Sequence, residues 1–139
     1  MTYTTKAEMI ARYGETEITE LTDRMGAGVV DVSVLNKALT DADALIDGYL
    51  AARYTLPLAT TPTMLVGLAS DIARFKLWDD SAPEEVRKRY EDALAQLKLL
   101  SQGGVVLPPD AQGDKPAQAS GMDYYSQERV FTAETLVDY

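Results

Sequence analysis

Apolar residues recur along this chain at steps of three and four, and the steps break at glycines and prolines. That spacing belongs to helices with one buried face. Thr5-Lys6-Ala7-Glu8 has the form of a capping box, with Met9, Ile10 and Tyr13 behind it and Gly14 as a stop. Thr16 to Arg24 predicts a second short helix carrying Ile18 and Leu21, which runs into Met25-Gly26-Ala27-Gly28. A longer helix begins at Asp31 or Ser33. Its stripe is Leu35, Ala38, Leu39, Ala42, Leu45, Ile46, Tyr49 and Leu50, with Thr40 and Gly48 as sites for a bend and Pro57 as the end of the pattern. Thr61-Pro62 predicts a new start, with Thr61 as cap. Leu65, Leu68, Ala69, Ile72, Phe75 and Trp78 follow on one face. Ser81-Ala82-Pro83-Glu84 has the form of another capping box, ahead of Val86, Tyr90, Ala93, Leu94, Leu97 and Leu100. Gly103-Gly104 closes that helix. The pattern predicts an all-α fold: a small bundle of three longer helices with short N-terminal helices. Ile46, Ile72 and Leu97 belong at its centre.

The pattern stops after Gly104. Residues 107–121, LPPDAQGDKPAQASG, hold three prolines, two glycines and almost no large apolar side chain. Such a composition buries too little surface to order itself. The remaining stretch restores apolar and aromatic residues: Tyr124, Tyr125, Val130, Phe131, Leu136 and Tyr139. The expected division is a helical domain over 1–104, a flexible linker over 105–121 and an extended C-terminal docking arm over 122–139. Phe131, flanked by Arg129 and Val130, is the expected anchor of that arm.

Charge narrows the function. The 139 residues carry 13 Lys and Arg against 22 Asp and Glu, a formal net charge of −9. Such a surface repels phosphate, so DNA can pass close by without sticking. There is no Cys and no His, so thiolate nucleophiles, cysteine metal knuckles and the commonest general base are all missing. The N-terminus lacks a basic segment followed by an apolar run, and no apolar run approaches the ~20 residues that span a bilayer.

The motifs that could carry chemistry resolve into structure. Asp43 and Asp47 lie four apart on one helix face with Asp41 nearby. A divalent cation could relieve their repulsion, but the alternating loop of a calcium site is missing. They read more simply as a polar stripe with Asn36 and Thr40, turned toward solvent, a channel or a partner. Arg87-Lys88-Arg89 has acidic neighbours at pairing distance: Glu84, Glu85, Glu91 and Asp92. It is a compensated surface. Gly26-Ala27-Gly28 lacks the third glycine and the preceding strand of a dinucleotide fingerprint. No enzyme, metal site or cofactor site emerges.

Four stretches in order carry a resemblance: ARYGETEITELTD (11–23), LNKALTDADALIDGYLAARYTLPL (35–58), LVGLASDIARFKLW (65–78) and VRKRYEDALAQLKLLSQGGVVL (86–107). They resemble the Mu-like phage virion protein family encoded between head and tail genes. That family is similar to the helical head–tail connectors, or adaptors, of long-tailed phages. The terminal ERVFTAETLVDY also looks like the family's end. The resemblance implies a structural virion protein of the phage neck, made in the host cytoplasm. It would form a ring of its own copies, dodecameric by the resemblance, under the portal protein. It would extend the DNA channel and receive the tail or a tail terminator or stopper protein. Asp43 and Asp47 would then form an acidic channel or partner-facing wall, and Arg53, Tyr54, Leu56 and Pro57 the corner joining two packed helices. Two other classes compete with it: a small monomeric regulatory module acting through its C-terminal arm, and a metal-dependent enzyme.

Overall fold

The computed structural model describes residues 1–110 and 113–118. Their order is α1 (Lys6–Tyr13), α2 (Glu15–Thr22), α3 (Val32–Leu50), α4 (Thr63–Trp78), a single 3-10 turn (Asp79–Ser81) and α5 (Glu84–Gln102). No strand occurs among the described residues; Tyr54 and Gln118 form one isolated antiparallel bridge. The fold is all-α, with the three longer helices as its body.

Helix α4 packs against both α3 and α5, and α3 also touches α5. The stripes read from the sequence face one another there. Leu35, Ile46, Leu65, Ile72, Leu97 and Leu100 are fully buried, and a side chain of this size stabilises by about 1.5–3 kcal/mol when removed from water. Phe75 and Tyr90 lie at the edge of this core, half-buried, with rings stacked at 4.0 Å. Short α1 and α2 lie across α4, and α2 also touches α3.

Helix ends follow the local chemistry in part. Thr5 Oγ1 accepts from the Glu8 N–H at 3.3 Å, while the Glu8 carboxylate turns outward to Arg12. Asp31 caps α3 by accepting from the N–H groups of Ser33 and Val34. Gly103 closes α5 at φ +83, and a Cβ there would lie 1.5 Å from Arg53 Nη1. The positive φ favours glycine at that position, and any side chain there would also displace the Arg53 guanidinium.

Three expectations about boundaries need correcting. Ser81 does not cap α5. Residues 79–81 wind into the 3-10 turn, Ala82 is held extended before Pro83, and the helix starts at Glu84 with Pro83 as its cap residue. Likewise Pro62, not Thr61, occupies the cap of α4, without a side-chain bond. Helix α3 runs unbroken past Thr40 and Gly48, both exposed. Its buried stripe outweighs the ~1 kcal/mol that a helical glycine costs.

Packing also continues beyond Gly104, where the linker was expected to begin. Leu107 is 2% exposed within the core, and its N–H donates to the Tyr54 hydroxyl at 3.1 Å. Further on, the Thr55 N–H donates to the Ala117 carbonyl at 2.8 Å, and Thr55 Oγ1 donates to the Gln118 carbonyl at 3.0 Å. Leu107, the half-buried Val105 and a few hydrogen bonds anchor this stretch, so it shows no periodicity in the sequence.

Candidate docking surfaces around the helix corner

The corner between α3 and α4 is built from its residues outward. After Leu50 the chain turns, and the Tyr54 N–H donates back to the Leu50 carbonyl at 2.8 Å. This drives the Tyr54 ring into the core at 3% exposure, where its hydroxyl accepts from Leu107. The Arg53 guanidinium lies against Gly103 at the C-terminal end of α5. A cation there complements the negative end of the helix dipole. Leu56 packs against the core edge, the Leu56–Pro57 peptide is cis, and Pro57 is exposed. Beside the corner lies an open cleft of about 280 Å³ lined by Thr55, Pro57, Leu58, Asp114 and Lys115 among others. Arg53, Tyr54, Leu56 and Pro57 all lie in this turn between α3 and α4, and residues 107 and 117–118 bond to it.

The acidic stripe has a different role from the one expected. Asp43 Oδ1 accepts from the Tyr3 N–H at 2.9 Å, and Asp47 accepts from the Tyr3 hydroxyl. The N-terminal ammonium stands 3.8 Å from Asp47 Oδ2. Tyr3 is 2% exposed. Burial, then the hydrogen bond and charge of Asp47, push the Tyr3 hydroxyl well above the usual tyrosine range. Burial likewise raises the Asp43 carboxyl. Asp43 and Asp47 thus face the chain's own N-terminal segment instead of forming an outward wall. Only Asp41 of the three is exposed. Nothing in the spacing of the three aspartates gave this away. The available signal was Tyr3, an aromatic just ahead of the α1 cap with no stripe of its own to join.

A second polar fastening holds the same layer. The Tyr13 hydroxyl donates to Asp71 at 2.6 Å, and the Arg74 guanidinium lies 4.5 Å above the Tyr13 ring. Arg74 also donates twice to Glu17, at 3.1 and 2.8 Å. Thr4 and Ser70 share a buried hydroxyl bond of 2.8 Å.

The surface basic run is compensated in part: among the described residues Lys88 makes no ion pair with Glu84 or Asp92. Arg89 pairs with Glu85 at 3.1 Å, while Arg87 pairs with Glu84 instead of Glu91. Among the described residues, no group of three or more acidic side chains converges as a metal site would require. No helix among them is long and apolar enough to cross a membrane. The arm residues Tyr124, Tyr125, Arg129, Val130, Phe131, Leu136 and Tyr139 lie outside the described residues.

Comparison with known proteins covers most of this architecture. The family described as Bacteriophage Mu, Gp36 matches residues 3–125, from Tyr3 through the corner and α5. Gene product J of Escherichia phage Mu is 34% identical over 124 residues, covering 88% of this chain and 86% of that protein. Mu-like prophage FluMu protein gp36 of Haemophilus influenzae is 32% identical over 105 residues, covering 76% of this chain and 74% of its own. The chain belongs to the Bacteriophage Mu Gp36 family.

Proposed function

We propose that this phage protein is a ring-forming head–tail connector that binds the portal, continues the DNA channel and receives the tail. The observation that carries the reading is the match to a Mu phage family along residues 3–125, on a small helical bundle. Two properties support it. The net charge of −9 suits a channel through which DNA slides without being held. The corner at Arg53–Pro57 is braced from both sides, by Gly103 and by Leu107 and Gln118, so the described chain ends against a packed part of the bundle. In this reading the ring is homo-oligomeric and sits in the virion neck. Its arm, anchored by Phe131 with Arg129 and Val130 beside it, docks on the portal or on a neighbouring subunit.

The test is a joining assay. DNA-filled heads assembled without this protein are mixed with free tails, with and without the purified full-length chain. Infectious particles should form only when the chain is added. Equal joining in its absence would remove the connector role and leave the monomeric binding module as the reading to pursue.

A further inference from the structure

Near the start of α3, away from the corner, the loop after α2, the first half of α3 and the end of α4 leave a cleft of about 290 Å³. Arg24, Lys37 and Lys76 line it together with Val34, Asp41 and Asp79. Each ion pair among the described residues involves other cations, so these three have no carboxylate of a described residue within 4.0 Å. In a chain of net charge −9, three cations to two carboxylates in one cleft is a local reversal of sign.

Other features mark the same end as unfinished. Asp79 holds φ at +54, a left-handed conformation that non-glycine residues rarely adopt and that clusters at binding sites. Its neighbour Trp78 has a buried indole Nε1–H without an acceptor. The loop that leads into α3 exposes Met25 at 94% and Val29 at 64%. That loop is pinned: Asp23 accepts from the Ala27 N–H at 2.8 Å and from the Gly28 N–H at 2.7 Å. Exposed apolar side chains in the loop that follows Arg24, together with a cleft in which cations outnumber carboxylates, suit a segment that is both acidic and aromatic.

The chain carries such a segment. Residues 119–139 hold Asp123, Glu128, Glu134 and Asp138 against Arg129 alone, with Tyr124, Tyr125, Phe131, Leu136 and Tyr139 among them. The last residue described before it, Gln118, sits at the corner. Lys37 lies roughly 25 Å from the corner along α3, at about 1.5 Å per residue. The segment reaches up to roughly 70 Å at about 3.3 Å per residue. We propose that the cleft of one copy receives residues 119–139 of a second copy. This rests on the ring reading above. Arm and cleft are different surfaces at different ends of the chain, so their contact is heterologous, the type of contact that builds a ring when the rotation between copies closes.

The chain has no cysteine, so single cysteines report the contact directly. Full-length Asp41→Cys and full-length Thr135→Cys, mixed under mild oxidation without portal or tail, should cross-link about tenfold faster than Glu91→Cys with Thr135→Cys, because docking raises the local thiol concentration. Neutralising the cleft with Arg24→Gln, Lys37→Gln and Lys76→Gln should remove that excess, as should high salt. An unchanged thermal midpoint of the neutralised protein excludes misfolding as the cause. No excess over the Glu91 control would overturn the proposal. So would a cross-link found only within one chain carrying both Asp41→Cys and Thr135→Cys, which would show that the arm fills its own cleft. The measurement needs no portal, so a failure of the connector reading shows up separately.

Discussion

The three-helix body and the N-terminal layer are held by different forces. In the body, α3, α4 and α5 bury Ile46, Ile72, Leu97 and their neighbours against one another. In the layer, residues 3–22 are tied by Tyr3 to Asp43 and Asp47, by Tyr13 to Asp71 and by Glu17 to Arg74. Apolar burial is non-directional and scales with area, whereas each polar tie needs one partner in one geometry and nets only about 1 kcal/mol. The layer is not purely polar, since Met9 and Ile18 are buried. It has far less apolar surface to lose, however. The body should therefore set global stability, and the layer should open first.

The largest effect expected is in the body. Ile72→Ala should cost about 2–5 kcal/mol by chemical denaturation, since the site is closed on all sides. A cost below about half a kilocalorie there and at Ile46 and Leu97 would mean the stripes do not form the core. Next comes the brace at the corner. A chain ending at Gly104 loses Leu107 and leaves the buried Tyr54 hydroxyl without its donor. It should be about 3 kcal/mol less stable than one ending at Gln118. Equal stability would make the 105–118 stretch a linker after all.

Smaller effects separate the layer from the body. Tyr13→Phe should speed amide exchange in α1 and α2 about tenfold, or about 1.4 kcal/mol, and leave the slowest amides of α4 unchanged. If α4 accelerates equally, the two regions are one cooperative unit and the comparison fails. The smallest effect is Asp43. Its folded pKa is raised by burial, so as pH falls from neutral the native state takes up this proton before the unfolded chain does. Its contribution therefore improves as pH falls through that raised value and levels off below the unfolded pKa. Asp43→Asn keeps an acceptor for the Tyr3 N–H and should flatten this part of the pH–stability profile, read by thermal melts. An unchanged profile would show that the Asp43 charge is not penalised by burial.

The two regions were also unequally legible in the sequence. Periodicity located the body because a buried face needs apolar residues at every turn, and Leu35 through Leu50 supply them. It could not show that Asp43 and Asp47 turn toward Tyr3. A carboxylate facing solvent and one facing an N–H look alike in sequence, and these partners lie 40 and 44 residues apart. The Ser81 box misled for a local reason, because Pro83 moved the helix start beyond it. Leu107 was lost in a proline-rich stretch whose composition said disorder, although one buried leucine and the Tyr54 hydroxyl were enough to hold its start. The cationic cleft was invisible because Arg24, Lys37 and Lys76 come from three different helices or their ends.

The central claim is that this chain assembles on a portal. Light scattering after size-exclusion of the full-length protein, alone and mixed with its cognate portal ring, tests it most directly. The connector reading predicts that the chain elutes with the portal as a complex whose added mass is a whole ring of subunits. Recovery of free monomer beside an unchanged portal ring would contradict it.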